Sequence, residues 1–201
     1  GWASGGGWGF VGHEVVSYYA AWVECAARKR KLPAGFYIVG TMGGADKKMF
    51  SLINRGVFNL ELYAWGPRYI GAEGSNFWSE SPNTYTEIAR GAYALGPADE
   101  IIAKGKRWPR KVAVLYNRSH EIWNGAYGGF QSDRLLTYMA LTHGHIPADI
   151  ILEEDLTPEN LSSYKVIYVQ GFNLSDRHAK ALKQWVTNGG TLIGVAGTAM
   201  R

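Results

Sequence analysis

Between His13 and Lys31 the residues Val15, Val16, Tyr19, Trp22, Val23 and Ala26 recur at three- and four-residue spacing, the period of an amphipathic helix. The Arg28-Lys29-Arg30-Lys31 run that ends it suits the negative pole of a helix dipole. After the breaker Leu32-Pro33-Ala34-Gly35, the wholly apolar Phe36–Gly40 (FYIVG) predicts a short strand buried on both faces. A short helix is expected over Lys47–Arg55, with Met49, Leu52 and Ile53 inward and Gly56 as its stop. Phe58–Trp65 (FNLELYAW) predicts a second strand, and strands alternating with helices over short links form the repeat of a parallel α/β unit. The stretch 66–83 (GPRYIGAEGSNFWSESPN) is too long for an ordinary connection, and its aromatics argue against disorder, so it reads as a functional loop. A helix from Tyr85 to about Leu95 closes this region, with either Ser81 or Asn83 as its cap.

The second region has a cleaner pattern. Strands are expected at Lys111–Tyr116, Ala148–Leu152, Lys165–Val169 and Thr191–Val195. Gln131–His143 predicts a helix with Leu135, Leu136, Met139 and Ala140 inward and Gly144 stopping it. Asp155–Tyr164 reads as a polar loop with one helical turn. Ser175 is placed to cap a helix that runs to Thr187 and ends in Asn188-Gly189-Gly190. Short apolar strands separated by helices predict a doubly wound, flavodoxin-like open parallel sheet of order 2-1-3-4. Between the two regions, Gly96–Arg110 carries Pro97, Gly105 and Pro109 and a short helical piece over Asp99–Ala103. The boundary is expected near residue 108, which divides the chain into 1–96, a linker 97–110, and 111–201. The chain opens in a Gly/Trp-rich stretch and stops just after an apolar strand, so both ends are expected to be cut.

Composition narrows the function classes. The chain has 201 residues, of which 46% are hydrophobic and 19% charged, enough to bury a core. Its net charge of +4 comes mainly from 28–31 and from Lys104, Lys106, Arg107, Arg110 and Lys111. Both groups fall at a helix end or in a linker, where a solvated surface is the simpler reading. Nucleic-acid binding would need a broader basic face, so no nucleic-acid partner is expected. No apolar run approaches the roughly 20 residues of a membrane span, so no membrane partner is expected either. The single Cys25 excludes an internal disulfide, and it falls on the apolar side of the first helix. His143 and His145 flank Gly144 at a helix end, while His120 and His178 are isolated, so helix-end or surface roles are expected. No metal and no cofactor is predicted.

The second region resembles the β-galactosidase trimerisation domain, a relative of class I glutamine amidotransferases found in family 42 glycoside hydrolases. The likeness lies in KVAVLYNRSHEIW, HGHIPADII, LSSYKVIYV and DRHAKALKQWVTNGGTLIGVAG. Such domains follow a (β/α)8 barrel. Upstream, FYIVG and FNLELYAWGPRY resemble the seventh and eighth barrel strands, and YTEIARGAYALG resembles the closing helix. The resemblance implies the C-terminal part of a (β/α)8 barrel followed by an incomplete flavodoxin-like sheet. It further implies a retaining hydrolase of β-linked saccharides and a homotrimer built through the second region.

Retaining glycosidases use two carboxylates, an acid/base and a nucleophile. The resemblance places the acid/base at the end of the fourth barrel strand, upstream of this chain. It places a nucleophilic Glu at the end of the seventh, where Gly40-Thr41-Met42-Gly43 stands instead. The candidates within the chain are Asp46, Glu61 and Glu73. Asp46 also suits a helix cap, and Glu73 suits a solvated loop. Glu61 alternates with Tyr63 and Trp65, so it could face the barrel interior as a structural ion pair or as an acid. Trp65, Arg68, Tyr69, Phe77 and Trp78 gather at the expected active rim, where aromatic faces and a guanidinium suit a saccharide. Packing of the loop onto the barrel top explains them equally. The second region lacks the Cys of an amidotransferase and the Gly-rich turn of a phosphate site, which leaves it a structural role. Two readings stay open: a β-galactosidase-like hydrolase, or a catalytically silent relative that binds saccharide or serves assembly.

Overall fold

Helices with one apolar face, strands with one or two, and short turns between them generate two layered parallel sheets. The computed structural model describes residues 2–3, 12–39, 44–63, 82–124, 130–195 and 198. The chain divides into two compact units, Gly1–Arg107 and Trp108–Arg201.

In the first unit the order is β1 (Trp2–Ala3), α1 (Gly12–Lys29), β2 (Gly35–Val39), α2 (Ala45–Asn54), β3 (Asn59–Tyr63), α3 (Pro82–Leu95) and, after a 3-10 turn, α4 (Asp99–Lys104). The three strands are parallel in the order β1-β2-β3, and Tyr37 lies beside Glu61 in the β2–β3 register. Phe36, Ile38, Leu60 and Leu62 point to one face, where they pack with Val16, Ala20, Ala45 and Leu52 of α1 and α2. The alternate residues take the other face, where Tyr37 is 39% exposed and Glu61 is exposed. The apolar run of β2 is therefore buried on one face, not on both: the tyrosine carries a ring apolar enough to read as core and a hydroxyl that tolerates water.

α1 buries Tyr18, Ala21, Glu24 and Cys25 in addition to Val15, Val16 and Ala20, while Tyr19, Trp22 and Val23 are half-buried. Tyr18, Tyr19 and Trp22 meet as a ring cluster with centroids 5.4 to 6.5 Å apart. α3 begins at Pro82, with fixed φ suited to a first helical turn, so Asn83 lies inside the helix and does not cap it. Ser81 falls outside the described residues.

The second unit runs β4 (Val112–Tyr116), α5 (Arg118–Asn124), α6 (Phe130–His143), β5 (Ala148–Leu152), α7 (Pro158–Leu161), β6 (Val166–Val169), α8 (Asp176–Thr187) and β7 (Thr191–Gly194). The strands are parallel in the order β5-β4-β6-β7, the expected 2-1-3-4. Ala113, Leu115, Ile167 and Val169 face Leu182 and Trp185 of α8, while Val114 and Ala148 face Leu141 of α6. Each fully buried aliphatic side chain contributes about 1.5–3 kcal/mol, so the central strands anchor this unit.

Two details differ from the pattern. α5 is a helix where only a turn was expected. The inward face of α6 is Arg134, Leu135, Tyr138 and Leu141, leaving Leu136 58% exposed. The rotation follows from Arg134, which is fully buried with its guanidinium 4.9 Å from the Tyr116 ring centre and is paired with Glu121 at 2.5 Å. Charge alone would have put that residue outside.

Candidate functional site

In parallel α/β folds the strand C-termini share one edge, and catalytic groups gather there. In the first unit the candidate acids are Asp46, in the first turn of α2 after β2, and Glu61, in the middle of β3. Their surroundings differ.

Asp46 is buried. Its carboxylate pairs with Arg90 of α3 at 3.0 Å and accepts the Lys47 N–H at 2.8 Å. One turn earlier on α3, Glu87 accepts the Ala45 N–H at 2.9 Å and so satisfies the start of α2, which has no side-chain cap of its own. Burial pushes the Lys48 ammonium below its ordinary range, with Glu87 partly opposing the shift. Asp46 and Glu87 thus tie α2 to α3 on the helix side of the sheet. Glu61 stands on the opposite face, beside the Tyr37 phenol. The structure does not bring Asp46 and Glu61 together. Glu73, Trp65, Arg68, Tyr69, Phe77 and Trp78 lie outside the described residues.

In the second unit the strand order reverses between β4 and β6, the place where open sheets bind ligands. Here that place is filled. His120, 1% exposed, accepts the Phe172 N–H at 3.1 Å through Nδ1 and meets the Phe172 ring edge-on. Gly171 has φ +114°, and a Cβ there would lie 2.7 Å from the His120 ring. Burial lowers the pKa of His120. His120, in the first turn of α5, is therefore a core residue and not a surface one.

Beside it, Glu153 follows β5 and is 2% exposed. It accepts the Ser119 N–H and Oγ–H, both at 2.7 Å, and the Ser175 N–H at 3.2 Å, and it contacts His178 Nδ1 at 3.1 Å. Burial pushes its carboxyl up, but the Ser119, Ser175 and His178 hydrogen bonds together outweigh that and hold it below the ordinary range. Ser175 stands at the N-cap of α8, yet its hydroxyl meets His178 Nδ1 at 2.7 Å and does not cap the helix. Ser175 and Glu153 share one ring nitrogen, so the group lacks the relay of a catalytic triad, in which the nucleophile and the acid take opposite nitrogens.

The sequence signal for this cluster is positional. Ser119, Glu153 and Ser175 each follow a different strand, and a parallel sheet brings such residues to one edge. Among the described residues no group of three His, Cys, Asp or Glu could hold a metal ion. No described helix is long and apolar enough to cross a membrane.

No protein-family model matches the chain, and no curated protein matches it. Among solved structures it resembles Gan42B, a GH42 beta-galactosidase, with a TM-score of 0.69 at 18% identity, over 98% of this chain and 32% of that one. In fold, the chain matches about a third of a GH42 β-galactosidase. The likeness runs through both units: a parallel barrel-like sheet backed by helices, then an open parallel sheet covered on both faces. At this identity the likeness is one of fold.

Proposed function

We propose that the chain is part of a glycoside hydrolase of the β-galactosidase kind, acting on β-linked saccharides. The observation that carries this reading is the likeness to one GH42 β-galactosidase over 98% of the chain, across both units in order. Within it, the uncovered face of β2 and β3 corresponds to a barrel interior, and Glu61 is the candidate carboxylate on that face. The rim residues Trp65, Arg68, Tyr69, Phe77 and Trp78 would stack and hydrogen-bond the sugar, and Glu73 is the further acid on the same loop. The partner acid/base would come from outside these 201 residues. Two carboxylates suffice for this hydrolysis, so no cofactor is invoked. The second unit would serve assembly, as a homotrimer, since its ligand crevice is filled by His120 and Gly171.

A second reading, a catalytically silent relative that binds saccharide or serves assembly, is favoured by one observation. β2 is followed by Gly40-Thr41-Met42-Gly43, and the next acid, Asp46, is held by Arg90. Assay of the full-length protein on aryl β-glycosides separates the two. Hydrolysis abolished by Glu61→Gln or Glu73→Gln supports the enzyme. Saccharide binding without turnover, weakened in Trp65→Ala or Trp78→Ala, supports the silent relative. Light scattering of the same protein tests the trimer.

A further inference from the structure

The two basic groups of the sequence, at 28–31 and 104–111, each read as solvated surface when taken alone. The first unit brings Arg28 and Lys31 of the one and Arg107 of the other to a single open pocket of about 680 Å3. Its walls are the end of α1, the turn before β2 and the turn into β3, so it lies at the N-terminal edge of the sheet. Neither Asp46 nor Glu61 lines it.

The cations of this pocket are held in place. Glu24 of α1, 2% exposed, offers one oxygen to both guanidiniums: Oε1 takes Arg28 Nε at 3.0 Å and pairs with Arg107 Nη1. Arg107 also donates from Nη2 to the Gly56 carbonyl at 3.2 Å. Gly56 has φ +80°, and a Cβ there would run into that guanidinium, so the turn is bare where the arginine sits. A carboxylate between two guanidiniums offsets the repulsion that would otherwise part them. Both arginines still reach water, with side chains 42% and 37% exposed, and Lys31 is exposed. The carbonyl end of α1 is served separately by Arg30, which donates to the Ala26 carbonyl at 3.1 Å.

Three cations against one carboxylate leave two positive charges around the pocket. A phosphate monoester carries a charge of about −1.5 to −2 at neutral pH, and guanidinium forks match its oxygens. The volume lies in the range of about 300–1,000 Å3 that small-molecule sites take, which leaves room beyond the anion. Leu32 and Phe58, 61% and 58% exposed, line that room with apolar surface, and Asn59 adds an amide. We propose that the pocket binds a small organic phosphate monoester, with the phosphate on Arg28, Lys31 and Arg107 and the organic part against Leu32 and Phe58. The proposal does not depend on the hydrolase reading.

Titration calorimetry of the full-length protein with phenyl phosphate and with inorganic phosphate tests it. Phenyl phosphate is expected to bind at one site and more tightly than inorganic phosphate. Arg28→Gln and Lys31→Gln should each weaken both anions about tenfold. Phe58→Ala should weaken phenyl phosphate alone, and Lys47→Gln, at an exposed position of α2 outside the pocket, should change neither. Lys31 and Phe58 are exposed, so their variants decide even where Arg28→Gln fails to fold.

No binding of either anion would overturn the site. So would a loss on Lys47→Gln as large as on Lys31→Gln, which would mean general attraction to a basic surface. Equal affinity for the two anions, untouched by Phe58→Ala, would overturn the assignment of an organic monoester.

Discussion

The two sheets are built from similar short apolar strands, yet they use their faces differently. β2 and β3 bury Phe36, Ile38, Leu60 and Leu62 on one side and leave Tyr37 and Glu61 uncovered on the other. β4 and β5 are buried on both sides, from Ala113 to Leu115 and from Ala148 to Ile151. A sheet with an uncovered polar face can present chemistry from that face. One covered on both sides can present it only at the strand ends, and there His120 and Gly171 have closed the crevice. We propose on this difference that the first unit carries the chemistry and the second serves as scaffold.

The largest expected effect lies in the buried strands. Ile151→Ala should destabilise the second unit by about 2–5 kcal/mol through the cavity it leaves, whereas Glu61→Ala on the uncovered face should stay within about 0.5 kcal/mol. Urea unfolding of the two variants checks this, and equal losses would erase the contrast between the sheets. Gly171→Ala comes next. It forces a side chain into φ +114° and against the His120 ring, a strain of about 1–3 kcal/mol readable as a lowered urea midpoint.

Acid should then loosen the second unit in two steps. His120 has a folded pKa below its unfolded value, so its contribution is complete above about pH 6.5 and is lost as pH falls toward the lowered pKa. Glu153, also lowered, contributes above the ordinary carboxylate range and is lost as pH falls through its folded pKa. Glu153→Gln should flatten the acid limb of a stability-versus-pH curve, and an unchanged limb would show that the Ser119 and Ser175 bonds do not hold the carboxylate. A small effect is also expected for Asp46→Asn. Arg90 is 63% exposed, so the pair is screened and worth at most about 1 kcal/mol, and hydrolysis by the full-length protein should be unaffected.

Most of the architecture was legible from periodicity. The four strands of the second unit and their order follow from apolar runs separated by helices, because a right-handed crossover allows few alternatives. What periodicity missed were polar residues in the core. Arg134 turned the inward face of α6, and Tyr37 turned an apolar run into a half-covered strand. α5 escaped because Arg118–Asn124 has no apolar stripe; His120 is its buried residue.

The site was less legible, since its residues are joined by tertiary contacts. Nothing local to Asp46 announces Arg90, forty-four residues away, and nothing local to Arg107 announces Glu24. Glu61 could be placed by alternation alone, because strand geometry decides which face a residue takes.

The most direct measurement is hydrolysis of an aryl β-galactoside by the full-length protein and by its Glu61→Gln and Glu153→Gln variants, with the Tm of each recorded. If the uncovered face of the first unit carries the chemistry, Glu61→Gln should lower kcat by about 10²–10⁴-fold at an unchanged Tm. Glu153→Gln should lower the Tm and leave kcat within about twofold, as expected of a residue that acts on the stability of its own unit. Full activity in Glu61→Gln together with a collapse of kcat in Glu153→Gln would contradict the assignment and move the chemistry to the second unit.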